Sequence, residues 1–128
     1  MKGRGLRMPP TLALSVQQPF AEMIVRGLKL IEYRSWPLPK NMIGQRVYIH
    51  ASKEFFFRLN GTPVCNVKTW ELPKTRRGGI IGEATFCRDV KMGKGDHHWH
   101  VTAPVAYQEM IPCRGQQRFF KPEVEVQP

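Results

Sequence analysis

Lys29, Glu32, Arg34 and Trp36 form the densest group of chemically capable residues in this sequence. Lys29 reads as lying in a turn after a short helix, where its ammonium can reach into a cleft. A strand over 30–36 puts Leu30, Glu32, Arg34 and Trp36 on one face and Ile31 and Tyr33 on the other, because successive strand side chains alternate. The result is a mixed charge cluster. A cationic neighbour depresses a lysine pKa toward catalytic use, whereas a carboxylate neighbour keeps the ammonium charged. Two readings stand side by side. In one, Glu32 and Arg34 make a structural ion pair that orients the strand. In the other, Lys29 and Glu32 are catalytic and the planar fork of Arg34 grips a phosphate. Trp36 then stacks a base, an interaction typically worth ~1–3 kcal/mol, or belongs to the core.

Other candidate chemistry is thinner. Asp96-His-His-Trp-His100 suggests a metal site, since His98 and His100 would share a strand face. No zinc spacing is present, however, and no close Cys or acidic ligands complete the set, so no metal and no cofactor is expected. The histidines read instead as lining a loop, with Trp99 a cleft or core aromatic. Arg88, Lys91 and Lys94 read as a solvated rim, and Gly93-Lys-Gly95 is too short for a phosphate loop. Neither a Ser-His-Asp order nor a nucleophile elbow is found, which disfavours a hydrolase of that type.

The elements that must position these residues follow from periodicity and punctuation. Residues 1–10 read as a basic flexible arm closed by Pro9-Pro10, residues 11–122 as the domain, and 123–128 as a tail. Leu12, Leu14 and Val16 alternate as a strand over Thr11 to Val16. Pro19 suits the first position of a helix carrying Phe20, Met23 and Ile24, and Gly27 suits the position just past its end. Arg46 to His50 reads as a strand with Val47 and Ile49 inward. Ser52 can cap a second short helix containing Phe55, Phe56 and Leu59, stopped by Asn60-Gly61. Residues 62–78 read as a loop bearing Lys74, Arg76 and Arg77. Gly79 to Val90, Val101 to Tyr107 and Gln116 to Lys121 complete the strands, with a turn at Cys113-Arg-Gly. Many short strands with two short helices predict a small barrel of α+β architecture.

The chain has 128 residues, enough for one domain with a core of its own. Its 20 Lys plus Arg against 10 Asp plus Glu give a formal net charge of +10, which attracts polyanions. Nucleic acid is preferred to a membrane as the source of that anion. The chain shows no long basic amphipathic helix and no lipidation motif, and no apolar run approaches the ~20 residues needed to span a bilayer. The start of the chain lacks the apolar core of a signal peptide. Three widely spaced cysteines, Cys65, Cys87 and Cys113, make no disulfide framework and suit a reduced, cytoplasmic setting.

Five segments in order resemble the ASCH domain family. Gly27, Lys29, Glu32 and Arg34 match its Gly-x-Lys-x-x-Glu-x-Arg run. Ser15, Pro19 and Ala21 match the Ser-x-x-x-Pro-x-Ala entry that precedes it. Tyr48-Ile-His-Ala-Ser52 is similar to the strand ending in His-Ala-Ser, and Gly79-Ile-Ile-Gly82 to the Gly-x-Ile-Ile-Gly strand. Pro112 to Phe120 is similar to the closing Pro-x-x-Gly stretch with its aromatic pair. The match runs from about Thr11 to Pro122, and its order makes it specific.

The resemblance implies a small PUA-like β-barrel with two short flanking helices and a cleft beside the Gly-to-Arg run. It also implies an RNA-related function; RNA, single-stranded nucleic acid or a nucleoside is the expected ligand, and a monomer is the expected working unit. Expected ligand contacts are Lys29, Arg34 and Trp36 in the cleft, with Ser52, Lys53, Arg76, Arg77 and Arg118 around it. Some small relatives are hydrolases, either ribonucleases or N4-acetylcytidine amidohydrolases. In that alternative Lys29 and Glu32 are the catalytic pair. Glu32 stands where the amidohydrolase subgroup has a threonine, a carboxylate in place of a hydroxyl.

Overall fold

The first apolar run forms strand β1 (Ala13–Gln18), which buries Leu14 and Val16 on one face and Ala13 on the other. Helix α1 (Phe20–Val25) follows directly after Pro19. Gly27 adopts φ 75° just past its end, a conformation that an L side chain resists, and so turns the chain toward Lys29. The structure, a computed structural model, describes residues 9–55, 58–59, 62–63 and 76–123. The N-terminal arm up to residue 8, Phe56 and Asn60-Gly61 of the expected second helix, residues 64–75 of the expected loop with Cys65 and Lys74, and the tail from residue 124 lie outside the described residues.

Strand β2 (Ile31–Arg34) leads through a 3-10 turn at Lys40–Met42 into β3 (Arg46–Phe55). A two-stranded ribbon follows, β4 (Arg58–Leu59) with β5 (Thr62–Pro63). The long hairpin of β6 (Gly79–Gly93) and β7 (Asp96–Pro112) comes next, and β8 (Phe119–Phe120) closes the chain. The main sheet has the order β2-β7-β6-β3-β1-β8, with β1 parallel to β3 and every other neighbour antiparallel. It curls into a half-barrel around one apolar face. Leu14, Val47, Ile49, Phe86 and Trp99 line that face, and α1 packs Ala21, Ile24 and Val25 onto it. Val25 sits so close to β6 that a Cβ at Gly82 would lie 2.7 Å from its side chain. Burial of this kind is worth roughly 1.5–3 kcal/mol for each large side chain, so the apolar face supplies most of the driving force. A smaller cluster of Tyr48, Ile80, Cys113 and Phe120 backs the opposite face.

The expected second helix is absent from the described part of its range. Residues Ser52 to Phe55 continue β3, and Arg58–Leu59 is strand as well. The reason is tertiary. On one side Gln18 of β1 pairs with Phe55, and on the other Gly79 of β6 pairs with Ala51, so partners are waiting for an extended chain. Ser52 still makes a local bond, accepting the Glu54 N–H at 3.1 Å, but within the strand. Among the described residues the α+β reading therefore narrows to a mostly β fold with one short helix and one 3-10 turn. Asp96 to His100 is likewise strand, not loop. No helix among the described residues is long and apolar enough to cross a membrane.

Candidate functional site

An open cleft of about 670 Å³ lies where β1 and the turn after α1 face β2. Its floor is built from the residues that drew attention in the sequence. Glu32 is 6% exposed, and its carboxylate stands between two cations. Lys29 Nζ lies 3.4 Å from Oε1, and Arg34 Nε donates to Oε2 at 2.8 Å. One carboxylate between two cations leaves the floor with one net positive charge. Lys29 also donates to the Ile31 carbonyl, and its ammonium lies 4.5 Å from the Tyr33 ring centroid and 5.3 Å from that of Phe20. Burial lowers the Lys29 pKa from 10.5, with Arg34 pushing the same way and Glu32 opposing both.

Arg34 does more than neutralise Glu32. Its Nη2 donates to the Ser15 carbonyl at 2.9 Å, bridging β2 to β1 across the mouth of the half-barrel. The guanidinium lies over Trp99, 5.8 Å from the ring centroid, and 6.0 Å from that of Trp36. Trp99 is fully buried and stacks on Phe119 at 5.8 Å, and Trp36 stands edge-on to Trp99 at 4.7 Å. The wall of the cleft is thus an aromatic stack rooted in the core, with Trp36 half-buried at its outer end. Arg118 covers Trp36, its guanidinium carbon 4.5 Å from the ring centroid.

Lys29, Glu32, Arg34 and Trp36 therefore come together in one cleft, joined by Arg118 from the far end of the chain. Ser52, Lys53 and Arg77 form a separate group. Arg77 donates to the Lys53 carbonyl at 3.2 Å, and the link to the cleft runs through Gln17, which lines it and donates to Glu54 at 3.5 Å. Arg76 is engaged elsewhere. It grips Glu22, 1% exposed, at 2.6 Å and 3.0 Å, and also donates to the Tyr107 carbonyl. Gln18 steadies this lock, accepting the Glu22 N–H and donating to the Arg76 carbonyl.

Phe20 and Tyr33 line the cleft, though the pattern had assigned Phe20 to a helix face and Tyr33 to the strand face away from Glu32. The signal for Tyr33 was its place on an edge strand, where a side chain that points outward can still lie over a neighbouring turn. Tyr33 is 59% exposed. The histidines take separate partners. His97 meets Asp89 at 3.0 Å, while His98 meets Asp96 at 3.2 Å and packs edge-on against Tyr33. No grouping of three or more metal-ligating side chains occurs among the described residues. Cys87 and Cys113 are unpaired.

Behind β1, His50 is 3% exposed and bridges two elements. Its Nε2 lies 2.7 Å from the Cys113 carbonyl, which can only accept, so Nε2 carries the hydrogen. Nδ1 then accepts the Ser15 hydroxyl at 3.1 Å. Burial lowers the His50 pKa from 6.5, against the opposing effect of the Cys113 carbonyl.

The ASCH domain family model matches residues 14–119. No curated protein matches the sequence. Crystal structures of two single-residue mutants of ZmASCH from Zymomonas mobilis are similar in fold. One aligns with a TM-score of 0.51 at 16% identity, covering 79% of this chain and 74% of that one. The other aligns with a TM-score of 0.51 at 16% identity, covering 82% and 77%.

Proposed function

Because this chain belongs to the ASCH domain family, a family linked to RNA binding, we propose that it binds single-stranded RNA or a nucleotide in the cleft between β1 and β2, acting as a monomer. The observation that carries this reading is the pairing of a net-positive floor, Lys29–Glu32–Arg34, with an aromatic wall ending in Trp36, on a chain of net charge +10. A phosphate suits the floor, since the excess cation needs an anion. A base suits the exposed end of the aromatic stack, because every base offers a π-face. Lys53 and Arg77 would extend the basic track beyond the cleft.

Titration of labelled single-stranded RNA at two salt concentrations tests the reading. Affinity should fall by roughly 0.7 log units per log unit of salt for each phosphate neutralised. Lys29→Ala should weaken binding and flatten the slope by about one phosphate's worth. Absence of binding at low salt to any RNA or single-stranded DNA would end the proposal.

A second reading is favoured by one feature, the buried Lys29 with its lowered pKa beside the Glu32 carboxylate. In a hydrolase on RNA, neutral Lys29 would take the proton of a ribose 2′-hydroxyl as it attacks the adjacent phosphate. Arg34 would hold the phosphate, and as the P–O5′ bond breaks the departing 5′-oxygen would take a proton from the Lys29 ammonium or from water, leaving a 2′,3′-cyclic phosphate that water then opens. In a hydrolase on N4-acetylcytidine, the same amine would take a proton from water as it attacks the amide carbonyl and return it to the departing N4 as the C–N bond breaks, giving acetate and cytidine. Under either version Lys29→Ala abolishes turnover with the fold intact, and Glu32→Gln reduces it. A wild-type protein without turnover on either substrate removes the enzymatic reading and leaves binding.

A further inference from the structure

Building on the ligand class proposed above, we propose that Arg118 makes the cleft selective for nucleotides that carry a phosphate over bare nucleosides. Arg26, Arg34, Arg46 and Arg76 each have a carboxylate partner, in Glu22, Glu32, Glu83 and Glu22 respectively. Arg118 has none among the described residues. It is exposed, and the contact it makes is with the face of Trp36 at 4.5 Å. Its hydrogen-bonding fork is therefore open to an anion, while its plane occupies the place of a stacked base.

The backbone holds it there. Arg118 has φ 56°, a region that residues other than glycine seldom enter and that tends to mark positions over-determined by their surroundings. What over-determines it is the next residue. Phe119 pairs with Leu14 of β1 and stacks on Trp99, so the chain arrives at β8 already aimed across the aromatic wall.

The consequence is a competition. A bare nucleoside must displace the guanidinium from Trp36 and offers only neutral acceptors, with no anion to receive it. A nucleotide displaces it equally, but its phosphate then accepts the freed fork in charge-assisted hydrogen bonds. The base takes the ring and the phosphate takes the cation.

Calorimetric titration with AMP and with adenosine, on wild type, Arg118→Ala, Arg118→Lys and Trp36→Ala, tests the assignment. Wild type should prefer AMP by about tenfold or more, and Arg118→Ala should collapse that ratio by weakening AMP and tightening adenosine several-fold. Arg118→Lys keeps the charge without the fork and should fall between. Melting temperatures close to wild type establish that the variants fold. Equal loss of both ligands in Arg118→Ala, or an unchanged ratio, overturns the role of Arg118 while the cleft stands. The cleft itself fails, and this role with it, if wild type binds neither AMP nor a short single-stranded RNA, or if Trp36→Ala leaves both affinities unchanged.

Discussion

Arg34 Nη2 donates to the carbonyl oxygen of Ser15 at 2.9 Å, tying β2, one edge of the six-stranded sheet, to β1, one strand in from the other edge. No ladder joins those two regions, so a side chain does what backbone pairing does in a closed barrel. The clasp exists because Glu32 holds the other side of the same guanidinium at 2.8 Å. Stability and ligand chemistry thus meet in one ion cluster.

Glu32→Gln separates the two. The amide keeps the shape but leaves Lys29 and Arg34 without the charge between them. Loss of charge-assisted bonds to a buried carboxylate should destabilise the protein by about 2–3 kcal/mol, read as a lower urea midpoint. Affinity for RNA, corrected for the folded fraction, should rise, because the floor gains a positive charge. Unchanged stability would show that the cluster is not coupled to the fold.

Arg76→Ala should cost stability without altering RNA binding. Glu22, 1% exposed, would keep Arg26 as its one cationic partner among the described residues. A loss of about 2–3 kcal/mol is expected from the bonds to the charged group, with the salt slope of RNA binding unmoved. A flatter salt slope in this variant would make Arg76 a phosphate contact.

His50 predicts a pH dependence. Its folded pKa lies below the ordinary value of 6.5, so between the two the unfolded chain binds more protons than the native one. Its contribution to stability is therefore fully present above pH 6.5 and is lost as pH falls toward the folded value. Urea unfolding between pH 7.5 and 5 should show this decline, at most about 1.4 kcal/mol per pH unit. The part due to His50 should vanish in His50→Gln. A decline of the same size in that variant would assign it to other groups.

Ala103→Gly tests a strained position on β7. Ala103 has φ 49°, and its carbonyl accepts Arg46 Nη1 at 2.8 Å. Relief of the left-handed strain, roughly 1–2 kcal/mol, exceeds the extra unfolded-state freedom of glycine, so a net gain of about 0.5–1 kcal/mol is expected. Arg118→Gly relieves the same strain but loses the contact with Trp36, so its melting temperature should rise less. A lower melting temperature for Ala103→Gly would mean that this position on β7 is not strained.

Much of this protein was written in local pattern. The alternation of Leu14 with Val16 and of Val47 with Ile49 required strands with one buried face, and those residues line the core. Pro19 and Gly27 bracketed α1 because each restricts or frees the backbone in its own way. Lys29, Glu32 and Arg34 were legible as a cluster because three residues so close along a turn and strand cannot avoid one another. What pattern could not reach were relations between distant segments. Ser52 carries a local helix signal, yet Ala51 before it is paired with both β1 and β6 and Phe55 after it with Gln18 of β1, and fixing both ends of the stretch in extended form outweighs one cap. Arg76, read as part of a loop, and Arg118, read as part of the last strand, were both expected as ligand contacts. Only the packing of α1 gave Arg76 a buried carboxylate to hold, and only the pairing of Phe119 with Leu14 laid Arg118 across Trp36. Local periodicity is set by bond geometry within a few residues, whereas the partner of a long charged side chain is set by which strands the whole chain brings side by side.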